Sequence, residues 1–447
     1  MKNYRKWVIG LVVLFSAVAF VPAMAFPWLE KIHWQNYAMI YQQPLTFYVD
    51  SEIDDFDANP GDGICATPAG LCTLRAAIQE AEAVKGISQD VTVEVPAGVF
   101  SLTLRTNPID SIHILITRNN AYHVILHGQG PDETIIQGDG SSGIFLVSSS
   151  AVFSGLTIQN GWLLDYAAGG ITTLDNSEVI IVNCILRNNQ GAHGGAVRAG
   201  YQSYLSIIDS TITGNTATSG GGIYSWYATT LIQGSTISQN TAAYGGGAYN
   251  KWGTGMIFEN STLTGNSAGY GGGIYNWDDG EINIYNTTIT ENTANLSAGG
   301  IMLAGMPGSG AVVTLANTIL AGNHQASAPD CYAGNGNIIS YGFNLLGRTQ
   351  GCTFTAGLGD KINVNAGLAP LGSNGGPTQT HALLANSPAV DGGNPDGCRD
   401  SKNNLLLLDQ RGSPRPLDGD RDGTAVCDIG AFETAPLSGT FLPVVSR

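Results

Sequence analysis

One asparagine recurs along the middle of this chain at an almost constant distance. Asn189, Asn215, Asn240, Asn266 and Asn292 are separated by 26, 25, 26 and 26 residues. Each opens a run of small residues that ends in glycines: Gly194-Gly195, Gly220 to Gly222, Gly245 to Gly247, Gly271 to Gly273 and Gly299-Gly300. An apolar residue follows every run, namely Ala196, Ile223, Ala248, Ile274 and Ile301. Looser copies extend outward through Gly169-Gly170-Ile171 and through "NTILAGN" around Asn323. A self-similar period of this length specifies a solenoid or array of stacked units.

The local period selects the kind of solenoid. Segments such as "MIFENSTLTGN" and "EINIYNTTITEN" alternate apolar with polar residues and are rich in β-branched side chains. No copy holds a helix-length amphipathic run, which excludes the helical repeats. Three short strands and three turns fit into about 26 residues, because strands average roughly five or six. The expected fold is therefore all-β: a right-handed parallel β-helix, each copy one coil stacked on the next at about 4.8 Å.

Stacked coils place identical positions on top of one another. The asparagines then form an amide ladder at a turn, where Asn also tolerates left-handed backbone. Ile223, Ala248 and Ile274 point inward. Tyr224, Tyr249 and Tyr275 point outward, joined two residues later by Trp226 and Trp277, with Trp252 shifted one place behind Lys251. An outward aromatic stripe is a candidate carbohydrate-binding rail. The reading we favour is that the rings stabilise neighbouring coils, since they come with the repeat itself.

"NSTLTGNSAGYGGGIYN" resembles the repeats of bacterial β-helix proteins related to the chlamydial polymorphic outer-membrane proteins, over roughly residues 150–330. The resemblance implies a secreted or surface-displayed β-helix and implies no reaction.

Residues outside the repeats read as caps. Before them, Thr73 is a plausible N-cap, and Leu74, Ala77, Ile78 and Ala81 make one apolar helical face. A β-helix end exposes an open core, so a short helix stapled by Cys65–Cys72 would plug it. "CTLRAAIQEAEA" also resembles the CSLREA motif that precedes bacterial β-helices, with Thr73 for Ser and Ala76 for Glu. After Cys331 the repeat fades. The block containing Asn374-Gly375-Gly376-Pro377, Asp391, Arg411, Arg415 and Asp428 to Glu433 resembles the choice-of-anchor Q domain. It is expected to finish the helix and cap it. The resulting organisation is a signal peptide over 1–25, an N-terminal cap over 26–90, coils over 91–330, the C-terminal block over 331–435 and a tail over 436–447.

The compartment follows from the N-terminus and the cysteines. Lys2, Arg5 and Lys6 precede the apolar run Val8 to Val21 and the small-residue site Ala23-Met24-Ala25, as in a secretory signal. Cleavage would leave no spanning segment, since no second long apolar run exists. Seven cysteines fit an oxidising compartment. Their spacing pairs Cys65 with Cys72, Cys331 with Cys352 and Cys398 with Cys427, leaving Cys184 as a buried thiol. A net charge of −16 excludes nucleic acid and anionic membrane as main partners. An extracellular surface or a polysaccharide fits better, and a monomer is expected.

Two acidic clusters are candidate calcium sites. "DGDRDG" spaces Asp418, Asp420 and Asp422 as in the first half of an EF-hand-type loop, although Ile429 stands where its final Glu belongs. "DFDANPGD" offers Asp55, Asp57, Asn59 and Asp62. Ordinary acidic turns present the same pattern. No other cofactor is implied. Carboxylates inside the repeats are few (Asp209, Glu259, Asp278, Asp279, Glu281 and Glu291), and no pair has a glycosidase-like partner. His123, His127, His193, His324 and His381 have neither metal nor triad spacing. The function expected is thus a structural or adhesive surface module; the alternative is a carbohydrate-binding or carbohydrate-active β-helix. An autotransporter passenger is disfavoured, because no barrel of alternating strands follows the repeats.

Overall fold

A computed structural model describes residues 45–84, 89–105, 112–117, 122–253, 255–334 and 336–436. The proposed signal peptide lies outside these residues, as does the tail beyond Pro436.

The repeat becomes a parallel β-solenoid. In one coil the chain runs through Tyr204–Ile208, Thr211–Thr213, Thr216–Ser219 and Ile223–Trp226. Each of these strands pairs in parallel with its counterparts one coil before and one coil after. The stacks form sheets of twelve, eleven, six and nine strands respectively, which we call sheets I, II, IV and III. Alternation places Leu205, Ile207, Ile212 and Ile223 inside at 1% exposure or less. One continuous core cluster runs from Phe47 to Ile338.

Three strands per coil were expected, and sheet IV is the departure. The small-residue run after each asparagine leaves the core as an extra strand, and the glycines return beside it. A Cβ on Gly246 would lie 2.4 Å from the carbonyl oxygen of Gly272 and 2.6 Å from that of Ser267. Outgoing and returning backbones thus touch directly, and only glycine fits between them. Gly220, Gly245 and Gly271 make the corner itself at φ near +64° (66°, 64° and 62°).

The asparagine ladder forms, but its residues are not the left-handed ones. That conformation falls one residue earlier, on Asn188, Gly214, Gln239, Gly265, Glu291 and Gly322. Asn215 donates from its backbone N–H and its Nδ2 to Oδ1 of Asn240, at 3.0 and 2.9 Å. Asn240, Asn266 and Asn292 repeat this pattern toward the C-terminus. Asn323 ends the series by donating both groups to Oδ1 of Asp330. A second ladder runs through Ser210, Ser235, Ser261, Thr287, Thr318 and Asn344 and ends on Asp360. Every link donates in the same direction, so each series closes on a carboxylate, which only accepts.

The N-terminal helix, Leu74–Ala83, forms as read. Thr73 caps it by accepting the Ala76 N–H at 3.1 Å, and Leu74, Ala77, Ile78 and Ala81 enter the solenoid core. Arg75, only 1% exposed, pairs with Asp54 at 2.7 Å and donates to the carbonyls of Leu104 and His113. One helical residue thereby ties the cap to the first coils. The disulfides are Cys65–Cys72, Cys331–Cys352 and Cys398–Cys427, with Cys184 free and buried.

The C-terminal block does not simply sit over the end. Through Lys361–Ile362 it continues the coils. From Leu368 onward it folds back along the outer face of sheet II. Gln410 reaches the side chains of Thr236 and Thr262, and His381 reaches Thr264. The Ala431 N–H donates to Thr288, and Asn286 donates to the carbonyl of Arg399. Near the last coils, Ile319, Ala321 and Leu345 pack against Leu383, Ala389, Ile429 and Phe432. The block is a flank strap.

Candidate functional site

The outward tyrosines occupy one register position of sheet III. Tyr224, Tyr249 and Tyr275 pair directly across adjacent coils. Their ring centroids lie 5.2 and 5.1 Å apart, with interplanar angles of 12° and 15°. This is the coil spacing expressed in side chains. His193 extends the stack beyond Tyr224 at 4.6 Å, filling the place that Arg198 leaves vacant in that coil. Tyr166 stands at the end of the row, 5.5 Å from His193, and is 79% exposed.

These rings face each other, not the solvent. Tyr224, Tyr249 and Tyr275 are 5%, 8% and 4% exposed and form a cluster of their own with Ala298 and Met302. Burial pushes the Tyr224 hydroxyl up to about 12 and shifts those of Tyr249 and Tyr275 upward as well. All three stay protonated at neutral pH. Their faces are unavailable for stacking on a sugar.

The tryptophans are half-buried and similarly engaged. Arg198 lies over Trp226 at 5.6 Å, and Lys251 over Trp252 at 4.4 Å. Tyr227 stacks on Trp252 at 5.2 Å, and Trp277 on Tyr275 at 5.9 Å. The six residues proposed as a rail therefore belong to one aromatic lattice. Its accessible rim consists of residues that sequence reasoning did not single out: Tyr166, Tyr201 and Tyr244, the last on sheet IV and stacked on Tyr270. Exposure on sheet IV was not legible, because that sheet itself was not expected.

The nearby carboxylates are committed elsewhere. Asp278 accepts the Met306 N–H and Asp279 the Gly310 N–H, so both hold the following loop. Glu259 is buried beneath the strap, where it accepts the Ser401 N–H at 2.7 Å, and burial raises its pKa.

The two proposed calcium clusters fare differently. Asp418 and Asp420 come together with Asp391, their ligand atoms within 4.8 Å of one another. Oδ1 of Asp418 is buried with no hydrogen-bond partner. Burial and the two neighbouring carboxylates raise the pKa of Asp391. Asp422 instead accepts the Thr424 N–H within its own turn. Near the N-terminus, Asp55, Asp57 and Asp62 cap the backbone N–H groups of Phe56, Asn59 and Ile64. Asn59 joins that cluster through its backbone, donating its N–H to Asp57 and accepting the N–H of Asp62 at its carbonyl. Hard oxygen ligands converge on Asp391, which lies 27 residues from Asp418 and was missed for that reason.

Beneath this trio the strap holds buried charge. Arg415 pairs with Glu433 at 2.8 Å, both fully buried, and Arg411 pairs with Asp409 at 2.6 Å. Burial, with the Glu433 charge, raises Asp428 to about 7.

With this geometry in place, the similarities to other proteins have a context. Residues 209–225 match the Chlamydia polymorphic membrane protein repeat. That segment runs from the turn before sheet II to the Tyr224 strand. The crystal structure of pectate lyase Pel9A superposes with a TM-score of 0.48 at 12% identity, covering 88% of this chain and 97% of that one. No curated protein matches the chain. The molecule is thus a parallel β-solenoid carrying a polymorphic-membrane-protein-type repeat and a flank strap. No described helix is long and apolar enough to cross a membrane.

Proposed function

We propose that this protein is a secreted, surface-displayed β-helix that works as a structural or adhesive module of a bacterial envelope. The observation that carries this reading is a flank repeated coil after coil in register, with one coil matching a membrane-protein repeat. Three disulfides support an oxidising location. In this reading residues 1–25 are a cleaved signal, the Thr73–Ala83 region is a CSLREA-like cap, and residues 331–435 are a choice-of-anchor-Q-like block. Adhesion uses the rim at Tyr166, Tyr201 and Tyr244, because the lattice beneath it is closed. Calcium at Asp391, Asp418 and Asp420 would pin the strap. A carbohydrate-active role is the alternative, and the carboxylates beside the aromatic lattice, Asp278 and Asp279, are engaged in holding the following loop.

The test is surface labelling of intact expressing cells with a membrane-impermeant reagent, followed by adherence assays. Labelling of intact cells, and weaker adherence after Tyr166→Ser, Tyr201→Ser and Tyr244→Ser together, is the expected result. Recovery only from the cytoplasm, with free thiols at all seven cysteines, would sink the proposal.

A further inference from the structure

A cleft of about 620 Å³ opens where the last coils meet the start of the strap. Thr290, Glu291 and the 321–325 turn form one side, and residues 363–368 the other. The volume falls within the usual range of small-molecule sites. The cleft lies on the sheet II side of the molecule, apart from the tyrosine lattice on sheet III.

Several solvent-exposed polar side chains line it. Arg348 sits on a loop locked three ways. Its backbone N–H donates to buried Asp330 at 2.7 Å, Thr349 donates to Oδ1 of Asn363, and the loop ends at the Cys331–Cys352 disulfide. The Arg348 side chain is solvent-exposed, and its guanidinium has no hydrogen-bond or ion-pair partner among the described residues. Asn363 and Asn365, both exposed, line the cleft and accept through Oδ1 from Thr349 and Gly367, and their NH2 groups make no hydrogen bond among the described residues. His324 and Glu291 likewise have no side-chain hydrogen bond. Glu291 holds φ +57° at the left-handed turn position that Asn188, Gly214, Gln239, Gly265 and Gly322 occupy in the other coils, so the turn itself sets its backbone.

From this arrangement we infer that the cleft binds a saccharide bearing a carboxylate. A free guanidinium matches a carboxylate bidentately. Two amide NH2 groups and an imidazole suit ring and hydroxyl oxygens, and Glu291 accepts from a hydroxyl on the opposite wall. The net charge of −16 opposes an anion only at long range, since exposed charges are screened beyond about 8 Å at physiological salt. Within the cleft the attraction comes from Arg348, set against the lining carboxylates of Glu291 and Asp330. The inference goes beyond surface display and stands or falls separately, because binding is measured on purified protein whatever its location.

The experiment titrates the full chain with trigalacturonate, 3′-sialyllactose and neutral lactose, read by saturation-transfer NMR and calorimetry. One or both acidic saccharides bind, lactose binds at least about tenfold more weakly, and Arg348→Gln lowers acidic affinity about tenfold or more. Arg348→Lys retains part of that affinity, and Asn365→Asp, which keeps the acceptor for the Gly367 N–H and removes the NH2, weakens it with an unchanged melting curve. Binding of neither acid, equal binding of lactose, or indifference to Arg348→Gln in a folded variant would overturn the assignment. So would displacement by a tetrapeptide with a free C-terminus, which would make the cleft a peptide site.

Discussion

The solenoid coils and the strap that runs along them are held together by opposite means. A coil repeats one solution: the same core position, the same ladder donor and the same corner, each reinforced from both sides. The strap repeats nothing. It is fixed by single contacts such as Gln410, whose Nε2 meets Ser235, Thr236, Thr378 and Gln379, and by the buried pair Arg415–Glu433. Damage to a coil should therefore spread to its neighbours, and damage to the strap should stay within it.

The largest expected effect tests that contrast. Arg415→Ala leaves Glu433 buried without its guanidinium and costs about 3–5 kcal/mol within the strap. Hydrogen exchange should show lost protection over 368–436 while strands such as Leu263 and Ile289 stay protected. Loss throughout the molecule would mean that strap and coils fold as one unit. Asn266→Ala comes next, at about 3 kcal/mol. It orphans the backbone and Nδ2 donors of Asn240 and removes the donor to the Ile237 carbonyl. Here protection should fall in the coils on both sides.

A pH series sharpens the comparison further. Asp428 rises from 3.8 to about 7 in the fold, so between those values the native state keeps a proton that the unfolded chain has lost. Its contribution to stability is complete below 3.8 and is lost as the pH climbs to about 7. Thermal melts of Asp428→Asn should show a flatter profile across that window, with the change confined to the strap transition. The smallest effect is expected from Cys184→Ser. Cys184 occupies the ladder place that Ser210 and Ser235 hold in later coils, and its Sγ meets the Val182 carbonyl as Ser210 meets Ile208. Less than about 1 kcal/mol should change, since a hydroxyl makes the same bonds.

Much of the coil was legible because periodicity reports on position. The inward residues Ile223, Ala248 and Ile274, the asparagine ladder, the helix capped by Thr73 and the three cysteine pairs all follow from local spacing. Sheet IV was missed because "TATS" and "TAAY" carry no apolar alternation; their strand is stabilised by its neighbours in the stack. The tyrosines were placed on the outer surface correctly, yet their burial comes from stacking across coils, which no single repeat reveals.

The candidate sites divide along the same line. Asp418 and Asp420 are neighbours in sequence, but Asp391 joins them only through the fold. Arg348, His324 and Asn365 carry no motif, and a disulfide, a ladder terminus and the departing strap bring them to one cleft.

The sequence by itself determined the stack: a 26-residue period with two-residue alternation admits one economical way to bury its apolar face. Tertiary structure alone decided which outer faces stay open. The strap closes sheet II through isolated side-chain contacts from more than a hundred residues away, and the tyrosines close sheet III by packing on their own copies. Burial of an outer face depends on what arrives from elsewhere in the chain, and no local pattern encodes that arrival.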